Sequence, residues 1–205
     1  PLPRPLPQPP RPTPTPTPPT IPPRPTPTPT EPPTNGRPIT LRMGKPFPEW
    51  KPSPNQRINL ERELVNGLRQ VFGKPTGVIT QTDYNRLVEL DVAELGITDL
   101  NGLQKGRNMR VLKLPGNQIS DLTPLQGLVK LNKLVLNNNK IENIGPLAKL
   151  TNLTELHLNN NRIPDIEALL RLRNLTDLEL KNNPIPKNQR ELLQRELPDC
   201  VIQFN

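Results

Sequence analysis

A chain of 205 residues with 31 prolines, five aromatic residues and a formal charge of +8 is long enough for one core-bearing domain plus an appendage, and far from average globular usage. One cysteine cannot form an internal bridge, and no apolar run reaches membrane-spanning length, so a disulfide scaffold and a helical membrane span are both excluded.

Residues 1–55 read as a proline-rich arm or stalk. Residues 1–54 hold 23 of the prolines and too few large apolar side chains to offset the entropy of ordering, which predicts polyproline II or disordered chain. Up to Arg57 there are eight basic and two acidic residues, +6 of the total +8, leaving +2 for the rest. These charges are spaced out by proline and lack the clustered basic and aromatic residues that bind single strands, so no nucleic-acid partner is expected. RPLPQPP at 4–10 and PTIPPR at 19–24 fit the two orientations of Src-homology-3 ligands, a match that arises easily by chance in such a tract. Alternating Thr-Pro instead fits a stiff stalk of about 3.1 Å per residue. In GKPFPEWKPSP, Phe47 and Trp50 interrupt the arm; they either dock it onto the first coil or meet a partner. The chain begins at Pro1 and not Met, which reads as a processed product whose signal or anchor has been removed.

Residues 56–86 read as a helical N-terminal cap. INLERELVNGLRQVFGKP has apolar residues at 60, 64, 65, 68, 71 and 72, acidic residues 61 and 63 behind a possible Asn59 cap, Gly73 as a stop and Pro75 beyond, the pattern of an amphipathic helix.

Residues 87–186 repeat with a period of 22. Leu87, Met109, Leu131, Leu153 and Leu175 form one column, Leu90, Leu112, Leu134, Leu156 and Leu178 the next, then Val92, Leu114, Leu136, Leu158 and Leu180, and Ile97, Ile119, Ile141, Ile163 and Ile185. Leu95, Asn117, Asn139, Asn161 and Asn183 lie between the last two, so the unit is LxxLxLxxNxI, the leucine-rich repeat. The fold class is therefore a solenoid of α/β type, with parallel strands on the concave face, 3₁₀ turns on the convex face and helical caps, preceded by the arm. The LxL segment is a strand whose leucines point inward, and the inward asparagine of each triplet supplies an amide to backbone groups stranded in the turn. Asn137, Asn138, Asn159 and Asn160 are read as exposed turn residues. Return legs such as SDLTPLQGL place apolar residues every third position, which favours 3₁₀ turns. Residues 187–205 read as the C-terminal cap, a helix with Leu192, Leu193 and Leu197 and a last strand ending at Phe204, headed by Cys200 as a buried small hydrophobe.

The segment ITQTDYNRLVELDVAELGITDLNGLQKGRNMRVLKLPGNQISDLTPLQGL resembles the bacterial internalin-like leucine-rich repeat family in its 22-residue repeat, its I-x-D-[IL] and [TG]-P-L return leg and its helical cap. The resemblance covers about residues 56–205. It implies a secreted or surface-attached, non-enzymatic binding protein that presents its concave sheet to a protein or other macromolecule. Leu95 departs from the pattern by standing where the turn asparagine belongs.

The outward strand positions carry the candidate partner-binding residues Val111, Lys113, Lys133, Val135, Glu155, His157 and Glu179, with Phe47 and Trp50 in the arm. His157, the sole histidine, lies between Glu155 and Glu179, but no Cys, Ser or second His stands beside it to complete a nucleophilic or zinc constellation, so it reads as a solvated histidine. No phosphate loop or glycine fingerprint occurs. No catalytic residue, cofactor or metal ligand is expected. The alternative reading is a structural subunit of an extracellular or membrane-associated assembly, in which neighbouring chains order the arm. The sequons at Asn152 and Asn174 coincide with the repeat consensus and support glycosylation only weakly.

Overall fold

The structure is a computed structural model that describes residues 38–43, 58–59, 65, 69 and 78–204. The arm up to residue 37, Phe47, Trp50 and most of the expected helix around 60–72 lie outside the described residues; of that helix only Val65 and Arg69 are described, both helical.

Seven parallel strands form one sheet in the order β1 (Ile39–Met43), β3 (Leu87–Val92), β5 (Val111–Lys113), β6 (Lys133–Val135), β7 (Glu155–His157), β8 (Asp177–Glu179) and β9 (Val201–Gln203). From β3 to β8 each strand pairs with the next one 22 residues along, as Leu90 with Leu112 and Leu112 with Leu134. The two end strands break that period. β9 pairs Ile202 with Leu178, and β1 pairs Leu41 with Leu90, so five residues inside the segment read as arm extend the sheet at its N-terminal edge. A second, two-stranded pairing joins β2 (Ile58–Asn59) to β4 (Ile97–Asp99).

The core is the set of leucine columns. Leu87, Leu90, Leu112, Leu134, Leu156 and Leu178 are wholly buried, as are Leu125, Leu147 and Leu169 of the return legs. Removing a buried leucine to alanine in such packing costs about 2–5 kcal/mol. The return legs are the 3₁₀ turns Leu103–Lys105, Thr123–Leu125, Gly145–Lys149 and Glu167–Arg171. Each is entered through a side-chain oxygen at a repeated position: Asp99, Asp121, Asn143 and Asp165 accept from the backbone N–H two residues on, at 2.8–3.0 Å. Tight Asx turns of this kind leave no length for an α-helix.

The asparagine triplets form three ladders. The inward amide behaves as its sequence position requires: Asn139 Oδ1 accepts Ile119 N–H at 3.0 Å, and Asn139 Nδ2 donates to the carbonyls of Leu114 and Leu136 at 3.0 Å. Asn161 and Asn183 repeat this one and two coils along. Asn117 does more, because its Oδ1 accepts both Leu95 N–H and Ile97 N–H at 3.1 Å, serving the coil in which Leu95 has replaced the turn amide. The outer asparagines, expected only to suit a turn, also join coils. Asn137 Oδ1 accepts Asn159 N–H at 2.7 Å and Asn159 Oδ1 accepts Lys181 N–H at 2.8 Å. Asn138, Asn160 and Asn182 sit at φ 59, 56 and 57°, in the left-handed region that asparagine tolerates better than most residues, and their exposed amides link head to tail at 2.7 and 2.6 Å.

The caps close the stack. α1 (Gln81–Arg86) starts in a capping box in which Asp83 N–H reaches Thr80 Oγ1 and the Asp83 carboxylate takes Thr80 N–H at 2.8 Å. Tyr84 is buried beneath Lys105, whose Nζ lies 5.4 Å from the ring centre. At the other end α2 (Lys187–Glu196) buries Leu193, with Leu197 buried just beyond it and Leu192 half-buried. Arg190 covers the Phe204 ring at 5.6 Å. Cys200 is half-buried, so it fits its reading as a small hydrophobe only in part; burial, helped by the Asp177 charge, raises its thiol to about 11.

Candidate functional site

Inward leucines force the residues on either side of them to face outward, so the strands present two aligned columns. Glu89, Val111, Lys133, Glu155, Asp177 and Val201 pair in register along one, and Asp91, Lys113, Val135, His157, Glu179 and Gln203 along the other. The structure thus brings Val111, Lys113, Lys133, Val135, Glu155, His157 and Glu179 onto one surface, all of them half-buried. Phe47 and Trp50 lie outside the described residues.

The charges on this face fall into three groups. At the N-terminal end Lys113 Nζ lies 3.1 Å from Glu89 and 3.9 Å from Asp91, and Thr40 of β1 donates to Glu89 at 3.2 Å. The Lys113 hydrogen bond holds the Glu89 carboxyl below its ordinary value. In the middle Lys133 pairs with Glu155. The C-terminal group holds His157, whose Nε2 is 3.3 Å from Asp177 Oδ2 and whose Nδ1 is 3.9 Å from Glu179 Oε1. Asn159 Nδ2 donates to Glu179 Oε2 at 2.5 Å. Half-exposed pairs of this kind are each worth less than about 1 kcal/mol, so the face is not what holds the fold together.

Asp177 and Asn159 were not among the candidates picked from sequence. Asp177 lies 20 residues from His157 and meets it diagonally across two strands; the 22-residue register could have shown this, whereas a search of immediate neighbours could not. The opposite side of the stack carries open depressions, one lined by Glu142, Ile144, Asp165, Ala168 and Arg171. The Asp165 carboxylate there is already engaged by its own turn. No helix among the described residues is long and apolar enough to cross a membrane.

Parallel strands in a 22-residue register, inward amide ladders and 3₁₀ return legs define the class: the described residues fold as a leucine-rich repeat solenoid. Two family models match, "Leucine Rich repeats (2 copies)" over residues 107–149 and "Leucine rich repeat" over 129–185. Among solved structures, the leucine-rich repeat protein LIC12759 of Leptospira interrogans is similar at 29% identity and a TM-score of 0.56, over 62% of this chain and 34% of that one. The functional domain of InlJ from Listeria monocytogenes shares the fold at 19% identity and a TM-score of 0.51, over 62% of this chain and 31% of its own. An internalin, inlF, of Listeria monocytogenes aligns at 26% identity over 70% of this chain and 55% of its own, with a TM-score of 0.47. The chain spans about a third of the length of the Leptospira protein. No curated protein matches it.

Proposed function

We propose that the chain is a non-enzymatic interaction module of an exported or surface-attached bacterial protein, and that it binds a macromolecule, a protein foremost, through the outward, concave face of the sheet. Leucine-rich repeat domains generally mediate protein–protein contacts, and the similar leucine-rich repeat protein of Leptospira interrogans is bacterial. The observation that carries the reading is the division of labour within each strand. In β6, Leu134 is wholly buried while Lys133 and Val135 stay half-exposed. The outward columns therefore add little to the core and are free to be chosen for a partner. Seven strands at about 4.8 Å spacing make a strip some 30 Å across, wide enough for one side of a standard interface.

The centre of that strip is Lys113, Val135 and His157, which stand side by side on β5, β6 and β7. Among the described residues the face carries no aromatic anchor of the kind that dominates many interfaces, so recognition by them rests on charge and shape. The test is to identify the stoichiometric partner from the native source and measure its binding to the full chain with Lys113→Glu and Val135→Ala combined. Loss of affinity by tenfold or more supports the reading; wild-type affinity places recognition on another face.

A further inference from the structure

We propose that Glu155, His157 and Asp177 form a binding site for a divalent transition metal, zinc foremost, at the C-terminal end of the outward face. Each residue offers one ligand atom, and the three atoms all lie within 4.8 Å of one another. The distance from His157 Nε2 to Asp177 Oδ2 is 3.3 Å. Metal–ligand bonds of roughly 2.0–2.1 Å place neighbouring ligands of a tetrahedral zinc about 3.3 Å apart, so one edge of the polyhedron already has its length. The Glu155 oxygen lies within 4.8 Å of the other two and must swing in, away from Lys133, to complete the set. Backbone pairing of β7 with β8 sets these positions, with Glu155 opposite Asp177 and His157 opposite Glu179, so the ligands sit on rigid strands and not on a loop.

A second observation is independent of that spacing. Asp177 Oδ1 is buried and has no hydrogen-bond partner among the described residues. The oxygen beside His157 is the other one, Oδ2, and a cation gripped by both oxygens of this partly exposed carboxylate gives Oδ1 the partner it lacks. The surroundings of the imidazole fit as well. With Nε2 turned to the metal, Nδ1 faces Glu179, which is itself held by Asn159. The 3.9 Å gap is longer than a hydrogen bond; once the ring closes it on turning to the metal, a carboxylate behind the ligating histidine fixes the ring and its tautomer and strengthens it as a ligand. One imidazole with two carboxylates suits zinc and its first-row neighbours, and suits calcium or magnesium less, since those prefer oxygen alone. Three protein ligands leave a tetrahedron one position short, open to water or to a group from a bound macromolecule. The site does not depend on the binding reading above. Lys133 opposes it, because its ammonium pairs with Glu155 and must give way when the metal binds.

The test is calorimetric titration of the full chain with zinc chloride in chelator-free buffer, with cobalt chloride as the optical probe of a tetrahedral site. One equivalent is expected. His157→Ala and Asp177→Asn should each abolish it, with melting curves kept as a check that both variants fold. Glu179→Gln, a positioning change, should weaken binding about 10- to 100-fold and alter the tautomer of the single histidine in its nitrogen NMR shifts. Lys133→Met should tighten binding, a gain that loss of structure cannot produce. A wild-type chain that takes up no zinc at millimolar concentration overturns the proposal, and so does uptake undiminished by His157→Ala and Asp177→Asn.

Discussion

Asn117→Ala should destabilise the solenoid more than Asn139→Ala, and the difference follows from counting which groups are left alone. Losing the Asn139 amide strands one donor, Ile119 N–H. The carbonyls it served keep another partner, since Leu114 O also accepts from Asn117 Nδ2 and Leu136 O from Asn161 Nδ2. One buried unsatisfied donor costs about 1–3 kcal/mol. Losing the Asn117 amide strands two donors, Leu95 N–H and Ile97 N–H, together with the contact to Val92 O at 2.8 Å. The expected cost is therefore about twice as large, roughly 2–6 kcal/mol. Urea unfolding followed by far-ultraviolet circular dichroism reads both, as shifts of the midpoint at unchanged slope. Equal losses for the two variants, or a larger one for Asn139→Ala, would refute the ladder argument.

Asn160→Ala should cost up to about 1 kcal/mol, because alanine lacks the local amide hydrogen bonding that lets asparagine tolerate its positive φ, whereas Asn160→Gly should cost clearly less by the same melt, because glycine accepts that backbone freely. Cys200, with its thiol raised to about 11, is about a thousandth thiolate at pH 8, so iodoacetamide should label the native chain slowly and the urea-unfolded chain fast. The folded pKa of Glu89 is depressed by Lys113, so the pair stabilises the fold above the ordinary carboxylate value and loses this contribution as pH falls through the depressed one. Lys113→Met should bring the Glu89 pKa back up in an NMR titration and cost less than about 1 kcal/mol at neutral pH.

Much of the fold is legible because the repeat states the same constraint several times over. Leu90, Leu112, Leu134, Leu156 and Leu178 must all face one way, and Asn117, Asn139, Asn161 and Asn183 must each mend a turn. What escapes is whatever occurs once or runs between coils. β1 is such a case: ITLRM has no counterpart 22 residues from Leu87, and Leu41 reaches Leu90 from 49 positions upstream. The outer asparagine ladders escape for another reason. A turn explains Asn138 and Asn160 fully from local chemistry, and only stacking at the repeat spacing reveals that their amides bond to each other. At the candidate site the outward residues follow from strand alternation, but the meeting of His157 with Asp177 depends on how adjacent strands are offset, which residue-by-residue reading along one strand does not show.

The measurement that bears most directly on the central claim is photocrosslinking from two positions of the same chain. A benzophenone side chain replaces Val135, half-exposed at the middle of the outward sheet face, or Lys149, exposed on a 3₁₀ return leg. Both variants are incubated with the native source material and irradiated. A macromolecular adduct from position 135, competed by excess unlabelled chain and absent from position 149, is the predicted result. An adduct from position 149 with none from position 135 would contradict recognition through the sheet.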